Sequence, residues 1–122
     1  MAEDPQKLLQ SLSNEFQKLE EELSDAIQAR QKLESQLQEN TAVQKEFSTL
    51  DEDANIYKMI GPVLVKQDKS EATMNVDKRL EFITAEIKRT ETKIKDVGGK
   101  QEKKKIEIIQ LQQRLQQAQS AA

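Results

Sequence analysis

Cysteine and histidine are both absent from this chain, and the two absences remove most of the chemistry a small protein can perform. Without Cys there is no disulfide framework, thiolate metal site or nucleophilic thiol; without His the commonest general base and the commonest neutral metal ligand are gone. Aromatics are scarce as well, with three Phe, one Tyr and no Trp in 122 residues, of which 34% are charged and 35% hydrophobic. That composition cannot bury a sizeable globular core, so a single elongated domain is expected. No apolar run approaches the roughly 18 residues of a membrane span. The segment Met1-Ala2-Glu3-Asp4-Pro5 is acidic where a signal or transit peptide would be basic. These features predict a soluble cytoplasmic or nuclear protein that is not an enzyme and uses no cofactor or metal.

What the chain does have is a hydrophobic period. Leu9, Leu12, Phe16, Leu19, Leu23, Ala26, Arg30, Leu33, Leu37, Asn40, Gln44 and Phe47 alternate spacings of three and four. The same pattern returns at Val76, Leu80, Ile83, Ile87, Thr90, Ile94, Val97, Gln101, Lys104, Ile108, Leu111, Leu115 and Ala118. Such spacing keeps one narrow apolar stripe facing a partner helix, which is the coiled-coil signature. Asp4 before Pro5 suits an N-cap and first helical position, so the first helix is predicted over about 5–51. Asp68 or Ser70 offers the cap for a second helix over about 70–119, in which only Gly98-Gly99 interrupts good helix formers. Two glycines cost about 1 kcal/mol each against Ala, so a soft, kinked or unwound point is expected there.

Between the helices the period changes. Residues 54–60 and 63–67 are rich in β-branched and other apolar side chains and are separated by Gly61-Pro62. Gly can take the positive φ of a II′ turn and Pro can follow it, which predicts a β-hairpin within 54–67. A hairpin turns the chain back, bringing the two helices together as an antiparallel coiled coil. Residues whose numbers sum to about 124 should then lie level. Charge supports the pairing: residues 1–50 carry five Lys/Arg and ten Asp/Glu, net −5, and residues 71–122 carry eleven and eight, net +3. In that register Glu20, Glu21 and Glu22 lie level with Lys104, Lys103 and Glu102. The Lys103-Lys104-Lys105 run is then a paired, solvated face, and with almost no aromatics for stacking a nucleic-acid partner is not expected.

An isolated two-stranded hairpin is marginal in water. This one must hide Ile56, Tyr57, Met59, Ile60, Val63, Leu64 and Val65 while its edges carry unpaired backbone groups. Edge-to-edge assembly with hairpins of other chains into a closed sheet or barrel resolves both problems. The alternative is that the hairpin packs across the end of its own helix pair.

Helix, hairpin and helix in this order resemble a β-class prefoldin subunit. The stretch Tyr57-Lys58-Met59-Ile60-Gly61-Pro62-Val63-Leu64-Val65-Lys66-Gln67 is similar to the family's hairpin, and Arg30-Gln31-Lys32-Leu33-Glu34 and Lys78-Arg79-Leu80 through Ile83-Thr84-Ala85-Glu86-Ile87-Lys88-Arg89 look like the same family. Gly98-Gly99 departs from what that second helix would be expected to contain. The resemblance implies a hexameric, ATP-independent chaperone of two α-class and four β-class subunits, with hairpins forming a β-barrel platform. It implies partners as well: two α-class and three further β-class subunits, unfolded actin and tubulin, and the cytosolic group II chaperonin. No nucleic acid and no membrane belong in that set.

Carried onto this chain, the client-binding end is where the two termini meet, with Leu8, Leu9, Leu12 and Phe16 facing Ile108, Ile109, Leu111 and Leu115. Fraying there would leave a strip able to bury a client's apolar segment without sequence preference. Leu8 and Ile109 stand just off the seam and are the favoured contacts. The polar seam residues Arg30, Asn40, Gln44, Thr90, Gln101 and Lys104 are read as fixing register at a cost in stability. A plain coiled-coil scaffold or tether would share the seams but has no use for an apolar hairpin.

Overall fold

The computed structural model describes residues 4–121. Helix α1 spans Pro5–Thr49, strands β1 and β2 span Ile56–Ile60 and Val63–Gln67, and helix α2 spans Lys69–Ala121. Two compact units result, one from Met1–Ala29 with Thr90–Ala122 and one from Arg30–Arg89. The first is called here the termini unit and the second the hairpin unit.

Both helices begin at carboxylates. The Asp4 Oδ1 accepts from the Gln6 amide at 3.1 Å and its carbonyl from the Leu8 amide at 3.0 Å, so orphan donors of the first turn are satisfied. Of the two caps expected for α2, Asp68 holds the position: its carbonyl accepts from the Ala72 amide at 2.9 Å, and the Ser70 hydroxyl donates to its Oδ2 at 2.8 Å. Helix α1 ends at Thr49, two residues before the expected 51. Ser48 and Thr49 hydroxyls donate to the Lys45 and Glu46 carbonyls, and Lys69 Nζ donates to the Leu50 carbonyl at 2.8 Å, so the last turn's acceptors are taken up locally.

The seam packs as its period requires. In the hairpin unit Ala72, Val76, Ile83 and Ile87 are buried; in the termini unit Leu12, Ala26 and Val97 are. Nearly every other seam residue is half-buried, the share of cover that one partner helix can give. Helix α2 runs unbroken through Gly98-Gly99, so the expected unwinding is absent. Val97, only 4% exposed, anchors that turn, and packing of the stripe outweighs a weak local propensity. A Cβ at either glycine would meet no atom within 4 Å.

The register differs from expectation. In the hairpin unit Gln44 Nε2 donates to Asp77 Oδ1 at 2.8 Å, a pair whose numbers sum to 121. In the termini unit Lys104 meets Glu15 at 2.6 Å, a pair summing to 119. The strands themselves pair at 123, as Ile56 with Gln67. The connectors are unequal: residues 50–55 lie between α1 and β1, but Asp68 alone lies between β2 and α2. The longer connector consumes residues on one side without advancing the opposite helix.

Since nothing crowds Gly98 or Gly99, replacing both with Ala should stabilise the chain by about 1 kcal/mol per site. Thermal unfolding followed by far-UV circular dichroism should show a higher Tm. An unchanged or lower Tm would mean that this turn needs glycine.

Candidate functional site

The hairpin is built on a two-residue turn. Gly61 has φ +58°, and Pro62 cannot take the positive φ that a I′ turn demands of its second residue, which leaves the II′ form. Register places Tyr57 opposite Lys66 and Met59 opposite Leu64 on one face, with Ile56, Lys58 and Ile60 opposite Gln67, Val65 and Val63 on the other. Both faces are therefore largely apolar, and both are open. Met59 is 70% exposed and Leu64 60%, with Tyr57, Ile60, Val63 and Val65 also exposed, as are Gly61 and Pro62 in the turn. Ile56 is the exception at 8% exposure: it starts β1 and is covered within its own unit, so it is not part of the free surface. Packing of the whole hairpin across its own helix pair does not occur. The sheet has two strands, and the outward edge of each is unpaired.

The structure brings all eight expected tip residues into the termini unit. Leu12 is buried; Leu8, Leu9, Phe16, Ile108, Leu111 and Leu115 are half-buried; Ile109 is exposed. Of the two favoured contacts, Ile109 is exposed and Leu8 is half-buried, as is Leu9.

Several exposed apolar side chains escaped the seam-based reading. Phe82 is 64% exposed, and Met74, Ile106, Val43 and Ile27 are exposed too. On a 3.6-residue helix Met74 and Phe82 point away from the stripe of Val76, Leu80, Ile83 and Ile87. The signal was available, because each is a large apolar residue standing outside the three-four register.

The charged pairing is also displaced. Lys104, at a seam position and 29% exposed, bonds Glu15 and lies 3.9 Å from Glu107; Glu20, Glu21 and Glu22 are exposed, and the first of them is not the partner of Lys104. The hydrogen bond to Glu15 holds the Lys104 ammonium above its usual 10.5, with the charges of Glu107 and Glu15 adding to it and partial desolvation working against it. Among the other polar seam residues, Gln44 bridges to Asp77, whereas Asn40 Nδ2 turns back to its own helix at the Gln36 carbonyl, 2.7 Å away. Among the described residues no His, Cys, Asp and Glu cluster could hold a metal, and no helix is long and apolar enough to cross a membrane.

Comparison with known proteins agrees with this geometry. The family described as Prefoldin subunit matches residues 10–119. Prefoldin subunit 6 of Mus musculus is 46% identical over 121 residues, covering 99% of this chain and 95% of that protein. Prefoldin subunit 6 of Arabidopsis thaliana is 47% identical over 117 residues, with 96% and 91% covered, and that of Saccharomyces cerevisiae 50% over 103, with 84% and 90%. The crystal structure of the prefoldin beta subunit from Thermococcus strain KS-1 superposes with a TM-score of 0.75 at 23% identity, covering 83% of this chain and 89% of that one, which is a likeness of fold. The chain belongs to the prefoldin subunit family. Its class is that of chaperone subunits, and the relatives named above are sixth subunits.

The Lys104–Glu15 pair yields a pH test. A pKa raised in the folded chain means that the lysine's contribution is complete below the unfolded value and is lost as pH rises through the folded one. The Tm difference between the chain and its Lys104→Gln variant should stay constant from about pH 7 to about pH 9 and change only above the usual 10.5. A difference that already moves below pH 9 would assign it to another group.

Proposed function

We propose that this chain is one of four β-class subunits of a hexameric, ATP-independent chaperone, completed by two α-class and three further β-class subunits. The observation that carries the reading is the hairpin, whose two faces and two edges are largely open while most of its side chains are apolar. Closing several hairpins edge to edge satisfies the strand edges and buries one face in a barrel. The opposite face is apolar too, so a second layer of hairpins is needed, as in two barrels joined into a platform. Tyr57, Met59, Ile60, Val63, Leu64 and Val65 make these contacts, Gly61-Pro62 sets the turn, and Ile56 fastens the strand to its own helices.

Client binding belongs to the termini unit, at Leu8, Leu9, Ile109, Leu111 and Leu115, with Leu12, Phe16 and Ile108 as the seam beneath them. Burying about two Leu-sized side chains returns about 3–6 kcal/mol before ordering costs, so affinity requires several tips on one client. Unfolded actin and tubulin are the clients, and the cytosolic group II chaperonin receives them. The setting is cytoplasmic or nuclear, the whole chain acts as one prefoldin-like domain, and no catalysis is involved.

Mass measurement tests assembly. Mixed with α-class and other β-class subunits, the chain should enter a defined hexamer, and Leu64→Asp should block entry while leaving helicity unchanged. A well-behaved lone monomer that ignores those partners would support the scaffold or tether reading instead. For client binding, Leu8→Ser with Ile109→Ser should preserve the hexamer yet reduce suppression of actin aggregation severalfold. Unaltered suppression would move the client site elsewhere.

A further inference from the structure

In the termini unit, α1 and α2 leave an open groove of about 440 Å³ beside the seam. Its floor is Leu19, and its walls are Lys18 from α1 with Lys100, Lys103 and Lys104 from α2; the carboxylates lining it are Glu15 and Glu107. Both carboxylates are engaged by Lys104, at 2.6 Å and 3.9 Å. Lys18, Lys100 and Lys103 make no ion pair or hydrogen bond among the described residues. With four lysines and two glutamates in its lining the groove carries a net charge of +2 beside an aliphatic Leu19, because lysine stems lie along apolar surface while their heads stay in water.

We propose that this groove is a second binding site, for an acidic polypeptide segment with one aliphatic anchor. The anchor would rest on Leu19. Carboxylates three or four residues to either side of it would reach Lys100 and Lys103 on one wall and Lys18 on the other, the spacing at which helical neighbours share a face. A polyanion such as RNA fits less well: no aromatic side chain lines the groove for base stacking. The site is separate from the apolar tip. It uses none of the tip side chains, and its attraction is electrostatic and salt-dependent where the tip's is hydrophobic.

Fluorescence anisotropy on the full chain assembled with its partner subunits tests the proposal. The probe is a labelled peptide with a central Leu flanked by Glu at three- and four-residue spacing; controls carry Gln for Glu or Gly for Leu, and a single-stranded RNA matches its charge. The Glu peptide should bind tighter than every control and more weakly as salt rises. The combined variant Lys18→Gln, Lys100→Gln and Lys103→Gln should lose about tenfold in affinity, the sum of three exposed charge contacts. The corresponding Arg variant should bind as the unaltered chain does, and both should suppress aggregation of an uncharged apolar client normally. Equal binding of the Glu and Gln peptides, tighter binding of RNA, or unchanged affinity in the Gln variant would overturn the proposal. So would loss of client suppression in the Gln variant, which would merge the groove with the tip. Loss of suppression confined to the Leu8 and Ile109 variant, with peptide binding intact, supports two separate sites.

Discussion

Each helix of this protein has one narrow apolar stripe as its main surface to bury, and the remainder of the structure follows from pairing the two. With so few aromatics and so many charges, no third layer can form. The stripes cover each other only in part, because a two-helix seam leaves its flanks in water. Strong burial is accordingly confined to a few positions such as Ala72, Ile83 and Val97, and most leucines remain half-open. The hairpin stands outside this arrangement. Of the strand residues Ile56 is buried and Gln67 half-buried, and the others are exposed.

Polar contacts mark the register within each unit. In the hairpin unit the connectors at 50–55 and at Asp68 are unequal, and Gln44 meets Asp77 across the helices. In the termini unit Lys104 meets Glu15 beside a groove lined by Lys18, Lys100, Lys103 and Leu19.

Polar residues within the stripe divide by how they are satisfied. Gln44 and Lys104 reach across to Asp77 and Glu15, and such pairs can fix register because a slipped arrangement would strand them. Asn40 bonds its own helix and specifies nothing about the partner. Gly98-Gly99 shows the converse, an unfavourable local propensity carried through by the buried Val97 beside it.

The amino-acid order by itself determined the element types, the seam residues, the II′ turn at Gly61-Pro62, the cap at Asp4 and the family, because period, cap and turn chemistry act within a few residues and leave a local trace. It also marked the hairpin as too apolar to stand alone. Only the tertiary structure decided which residues lie level, that Ile56 is covered, that Phe82 and Ile109 are open, and that Lys18 faces Lys100 and Lys103 across a groove. Those outcomes depend on how much chain each connector consumes and on the rotation of each helix about its seam. Both are sums over many residues, and an error of one turn in either changes every cross-helix neighbour.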